Sequence, residues 1–204
     1  MDAQTQKREL RRTVIARILA LDPALRHLEE ADLAARLADL PGFAAAGTVL
    51  MYATAFPEEI ATGPLLAEAL RRGKRLVCPR VDWPARRLRL HEVEDPRADL
   101  IRGRAGIPEP APERPEVEPS AIDWVLVPGL AFDTRGFRLG RGAGHYDRLL
   151  PRLRPDAPRW ALTLDAQWVE DLPVEPHDQP LDGIAGRRKT VLRARANPHD
   201  FPIF

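Results

Sequence analysis

Three glycines alternate in Gly140-Arg141-Gly142-Ala143-Gly144, directly before His145-Tyr146-Asp147-Arg148. Residues without a Cβ let successive backbone N–H groups turn to one side and let an anion approach the main chain. Arg138, Arg141 and Arg148 stand in and around the same stretch, and guanidinium forks match phosphate oxygens. A helix expected from about Ala143 to Leu153 would add unpaired N–H groups and the positive end of its dipole. Together these parts describe a polyphosphate cradle. The G-x-G-x-G spacing lacks the lysine–hydroxyl pair of the Walker loop and the final spacing of the dinucleotide fingerprint. A glycine turn followed by a helix cap would read the same way. The acidic Asp147 beside the loop and the surrounding arginines favour the functional reading.

The elements that must position this loop follow from the apolar pattern. Leu10, Val14, Ile18 and Leu21 recur at helical spacing between about Thr5 and Leu21. Asp22-Pro23 reads as a cap followed by proline in the first turn, opening a helix that carries Leu25, Leu28, Leu33 and Leu37 toward Pro41-Gly42. Strands are expected at Gly47–Tyr52, Arg75–Pro79, Leu88–Val93, Asp123–Val127 and Trp160–Leu164, with a helix from Thr62 to Gly73 between the first two. Strand, helix and strand in succession predict an α/β fold, a three-layer unit whose mostly parallel twisted sheet is flanked by helices. Residues 1–192 are expected to form one ligand-binding domain and 193–204 a tail. The proline-rich run Glu94–Ser120 reads as a long loop of the kind that is usually functional or mobile.

Composition removes several function classes. With 31 basic and 30 acidic residues the net charge is +1, which does not favour a nucleic-acid partner. Lysine occurs only at Lys7, Lys74 and Lys189, so nearly all the cations are arginine. Cys78 is alone, which excludes an internal disulfide and a multi-cysteine metal site and fits a reducing, cytoplasmic location. His27, His91, His177 and His199 lack the spacing of a zinc site. No apolar run reaches the ~18 residues of a membrane span.

The stretch Gly136-Phe137-Arg138-Leu139-Gly140-Arg141-Gly142-Ala143-Gly144-His145-Tyr146-Asp147-Arg148 closely resembles the signature of the 5-formyltetrahydrofolate cyclo-ligase family. Four further segments resemble that family in order: Lys7 to Arg11 as K-x-x-L-R, Glu59-Ile60-Ala61-Thr62, Gly106-Ile107-Pro108-Glu109-Pro110, and a C-terminal block from Gln167 through Leu172–Asp178 to Asp182. The resemblance implies ATP- and magnesium-dependent conversion of 5-formyltetrahydrofolate to 5,10-methenyltetrahydrofolate, with release of ADP and phosphate. It implies contact with ATP by Lys7, Arg11, Arg138, Gly140, Arg141, Gly142, Ala143, Gly144, His145 and Tyr146. Tyr52, Glu59 and Tyr146 would bind folate. Arg138, Tyr146 and Asp147 would serve the chemistry, and Asp147 with Asp182 would hold Mg2+. The expected partners are small molecules, without nucleic acid or membrane, and the expected state is a monomer. His145 stands where the family usually has an aromatic residue, Ala143 where lysine or glycine is common, and Ala105 where a large aromatic is frequent. A folate- or nucleotide-binding regulator with little turnover is the alternative those departures suggest.

Overall fold

The computed structural model describes residues 2–193, except for the side chain of Ala105. Helix α1 (Ala3–Leu19) is capped by Asp2, whose carboxylate accepts the Thr5 amide. Its inner stripe buries Val14 and Ile18 and continues N-terminally to the buried Lys7. Helix α2 (Pro23–Arg36) starts where Asp22 accepts the amides of Ala24 and Leu25. Leu33 and Leu37 reach the core, whereas Leu25 and Leu28, placed on the same helix by their spacing, stay exposed.

The chain continues through β1 (Thr48–Leu50), α3 (Gly63–Arg71), β2 (Arg75–Asp82), β3 (Arg87–Glu92), α4 (Pro96–Asp99), β4 (Leu100–Arg102) and β5 (Pro108–Pro110). Then come β6 (Trp124–Leu126), β7 (Ala131–Phe132), β8 (Arg138–Leu139), α5 (His145–Leu149), β9 (Arg159–Thr163), β10 (Gly183–Gly186) and β11 (Thr190–Leu192). Seven strands form one sheet in the order β11-β10-β9-β6-β1-β2-β3. Neighbours from β10 to β2 are parallel, and β11 and β3 add antiparallel edges. Side chains on a strand alternate between faces, and both faces are buried here. Val49, Met51, Trp124, Leu126, Trp160 and Leu162 pack with Val14, Ile18, Leu33 and the α3 leucines Leu65 and Leu66. Leu50, Val77, Val125, Val127, Ala161 and Ile184 pack with Leu149, Leu150 and Leu153 on the other side.

Two expectations change. Residues 94–120 are not one open loop: α4 and the β4–β5 hairpin lie within them. The hairpin is fastened to β2, because Glu109 accepts the Val81 amide at 3.2 Å and Arg80 donates to the Pro110 carbonyl at 2.8 Å. The helix expected over Ala143–Leu153 shortens to α5 and a 3-10 turn at Leu150–Arg152. Proline at position 151 removes an N–H that a continuing helix would need. The tail beyond Arg193 lies outside the described residues.

Candidate functional site

The parallel strands reverse their order between β1 and β6, since β2 follows β1 to one side while β6, β9 and β10 follow to the other. Open sheets of this kind form a crevice at the carboxyl ends of the strands beside such a reversal. Here those ends run into Tyr52-Ala53 and Pro128-Gly129-Leu130, and a cleft of about 250 Å3 opens between them. Gln167 holds one wall, donating through its side-chain amide to the carbonyls of Gly129 and Leu130 at 2.9 and 3.2 Å.

The glycine loop forms the cleft's basic side. Hairpin β7–β8 delivers Arg138 into it, and the Asp133 carboxylate ties the hairpin turn by accepting the amides of Arg135 and Phe137. Gly142 and Gly144 have φ of +101° and +65°, a region that side chains with a Cβ rarely occupy. The Arg138 guanidinium is nearly sealed, with 4% of its side chain exposed. It donates to Asp147 Oδ1 at 2.8 Å and to the Gln179 carbonyl at 2.6 Å. Burial pulls its affinity for the proton down, and Asp147 opposes that effect. Arg11 Nε donates to the Gly140 carbonyl at 2.8 Å, and its terminal nitrogen lies beside Gly142.

Lys7 lines the same cleft one helical turn before Arg11. Its ammonium meets Asp178 at 2.6 Å and Glu175 at 2.8 Å. Burial disfavours its charge, but the hydrogen bonds to these two acids prevail and raise its pKa. The expected phosphate contact therefore begins from a lysine already held by two carboxylates.

The opposite wall is mostly apolar, with Tyr52, Phe56, Val81, Leu88, Ile107 and Pro108. Glu59 sits in it. One oxygen accepts the amides of Ala55 and Phe56 at 2.8 and 3.3 Å, and the other lies 3.5 Å from Arg141 Nε. Burial raises the Glu59 pKa, with the amides and Arg141 opposing. Burial likewise raises the pKa of Tyr52 and Tyr146. The Tyr146 hydroxyl is buried and has no hydrogen-bond partner among the described residues, an arrangement that leaves a donor and an acceptor for an incoming ligand.

The structure thus brings Lys7, Arg11, Tyr52, Glu59, Arg138, Gly140, Arg141, Gly142, Ala143, Gly144, His145, Tyr146 and Asp147 to one cleft. It does not bring Asp182 there. Asp182 precedes β10 at the amino end of the parallel sheet, where its carboxylate accepts the Arg159 amide at 2.7 Å, while the cleft lies at the carboxyl ends. That removes Asp182 from a shared metal site with Asp147. His145, half-buried near Arg148, has a lowered pKa, chiefly through burial. Cys78 is buried with its pKa pushed up to about 12, so it remains a thiol and not a nucleophile.

Two residues that hold Arg141 escaped the sequence reading. Phe56 lies under the Arg141 guanidinium, 3.3 Å from ring centroid to guanidinium carbon, and the buried Glu58 accepts from Arg141 Nη2. Glu58 and Arg141 are 83 positions apart, and no local spacing announces a pair at that separation.

A profile of the 5-formyltetrahydrofolate cyclo-ligase family matches residues 3–186. The chain is 33% identical to the 5-formyltetrahydrofolate cyclo-ligase of Escherichia coli (strain K12), covering 81% of this chain and 91% of that protein. It is 32% identical to the mitochondrial 5-formyltetrahydrofolate cyclo-ligase of Arabidopsis thaliana, over 88% of this chain and 73% of the relative. The solution structure of Aquifex aeolicus 5,10-methenyltetrahydrofolate synthetase superposes with a TM-score of 0.79 at 32% identity, covering 95% of this chain and 98% of that one. With a family match across nearly the whole sheet and its cleft, this chain belongs to the 5-formyltetrahydrofolate cyclo-ligase family.

Proposed function

We propose that this protein converts 5-formyltetrahydrofolate to 5,10-methenyltetrahydrofolate, using ATP and magnesium and releasing ADP and phosphate. The observation that carries the reading is one cleft with two unlike walls: a loop of glycines and guanidinium groups faces an aromatic wall holding the buried carboxylate Glu59. A pterin ring suits the second wall, where a carboxylate can accept its N–H groups. Phosphates suit the first.

In this reading the formyl oxygen attacks the γ-phosphorus and ADP leaves. N10 then adds to the activated formyl carbon, loses its proton, and phosphate departs with the former formyl oxygen. Such transfer needs positioning and charge neutralisation more than a protein nucleophile. Arg138, Arg141 and Arg11 supply fixed cationic donors, and Arg138 is pre-oriented by Asp147 and the Gln179 carbonyl. Tyr146, which lines the cleft, offers its unpartnered hydroxyl. Asp147 Oδ1 is committed to Arg138 and the Gln179 amide, whereas Oδ2 has no hydrogen bond among the described residues. One free carboxylate oxygen fits magnesium, which retains waters and phosphate oxygens, and no group of three or more metal-binding side chains occurs among the described residues. Asp147 would hold the ion, which when bound neutralises charge on the phosphate oxygens.

A cytoplasmic monomer acting on small molecules completes the proposal. No helix among the described residues is long and apolar enough to cross a membrane. The test is purified protein with 5-formyltetrahydrofolate and magnesium, followed by near-ultraviolet absorbance. The methenyl chromophore should grow only after ATP is added. No growth with ATP present refutes turnover and leaves a binding protein.

A further inference from the structure

Glu58 belongs to none of the residues assigned to ATP, folate or metal, yet its carboxylate is 7% exposed. Arg141 is its hydrogen-bond partner, and among the described residues it has no other. The same guanidinium lies over the Phe56 ring and 3.5 Å from Glu59. Three side chains of the segment 56–59 therefore grip one arginine of the phosphate loop. The segment is stiff in turn, because Glu59 caps the amides of Ala55 and Phe56. Ile60 and Thr62 secure its far end through hydrogen bonds with Thr54.

A buried carboxylate deprived of its cation is strongly destabilised. Glu58 thus depends on Arg141 staying where it is, and Arg141 is held by that dependence. A guanidinium carries five N–H donors, and the bond to Glu58 leaves others for phosphate oxygens. Nucleotide that engages Arg141 must do so with the guanidinium still attached to the segment carrying Glu59. Any shift of one wall is passed to the other through Arg141, which Phe56, Glu58 and Glu59 hold together.

We infer that Glu58 is a positioning residue that couples the two substrate subsites: by holding Arg141 across the cleft, it makes phosphate binding on the loop raise the affinity for folate beside Glu59. Linkage makes the effect reciprocal. The inference rests on the proposed function, because it needs both ligands in one cleft.

The experiment is calorimetric titration of the full-length protein with a non-hydrolysable ATP analogue and magnesium, with and without saturating 5-formyltetrahydrofolate, and the converse titration. The parent should show each ligand tightening the other about 5-fold or more, the low end of ordinary coupling. In Glu58→Gln each ligand still binds alone, but the mutual tightening falls below about 2-fold on the same scale. Glu58→Asp, which keeps the charge on a shorter side chain, should recover most of it and serves where the Gln variant does not fold. A residue that only supports the fold would weaken both ligands without changing their ratio. Equal coupling in parent and Glu58→Gln, or no coupling in the parent, overturns the inference while the proposed function stands. A parent that binds neither ligand overturns both.

Discussion

Replacing Asp147 by asparagine separates two jobs that the structure gives to one carboxylate. Oδ1 neutralises Arg138, whose side chain is 4% exposed and whose other hydrogen bond goes to a neutral carbonyl. As an acid in the first turn of α5, Asp147 would by position alone contribute only a small dipole term. The ion pair raises that figure. Asparagine preserves an acceptor, so the full ~3–5 kcal/mol of a broken buried pair does not apply. A charge-assisted bond of ~1.5–3 kcal/mol becomes a neutral one of ~0.5–1.5 kcal/mol, and the bare guanidinium moves the result toward the upper side. A loss of about 2 kcal/mol lowers the melting temperature of a chain this size by ~4–8 °C. The second job belongs to Oδ2. Without its charge, turnover should fall by orders of magnitude and the magnesium requirement should rise. Thermal melts and the methenyl absorbance assay over a magnesium series read the two jobs independently. An unchanged melt would show that Arg138 does not depend on Asp147 for its charge balance. Normal turnover at limiting magnesium would remove Asp147 from the metal and direct attention to Asp178 or to the nucleotide alone.

Glu59→Gln should weaken 5-formyltetrahydrofolate at least tenfold while the melting shift produced by ATP and magnesium is retained; equal loss of both responses would make Glu59 a support of the 55–59 turn only. Gly142→Ala places a Cβ at φ +101° and 3.4 Å from Arg11. It should cost ~1–2 kcal/mol of backbone strain and reduce nucleotide-induced stabilisation, and an undiminished ATP shift would refute the loop's role. The Lys7 cluster predicts acid lability. Lys7 holds the Glu175 carboxyl below its ordinary range. For Asp178 burial acts upward, but Lys7 and the Glu175 amide outweigh it. Depressed carboxyl pKa values stabilise above their unfolded values and lose that contribution as pH falls through the folded ones. Hydrogen-exchange protection of residues 3–11 should therefore decline below about pH 4, and a Lys7→Met variant should lack this step.

What could be read from sequence follows from the range over which each signal acts. The inner strands were legible because both faces are buried, so Val49-Leu50-Met51 and Trp124-Val125-Leu126 are continuous apolar runs. Strand β10 was not, because Gly183-Ile184-Ala185-Gly186 has two glycines where larger residues would collide: a Cβ on Gly183 would lie 2.4 Å from the Trp160 ring. That constraint comes from a neighbouring strand, and no window on the sequence contains it. The site divides in the same way. Lys7 and Arg11 can be placed on one helix face by their spacing, but Lys7 is matched with acids 168 and 171 positions away. In sequence Asp147 falls at an expected helix start and Asp182 in a loop, and neither position tells which end of the sheet it meets. Only the direction of β10 shows that one faces the cleft and the other the far edge of the sheet. Glu58 and Glu59 are neighbours of one residue type, yet one balances a phosphate-loop arginine while the other caps two amides and keeps an oxygen toward the cleft. Residue type and spacing determine which groups are able to do the chemistry. The reversal of strand order between β1 and β6 determines which of those groups meet.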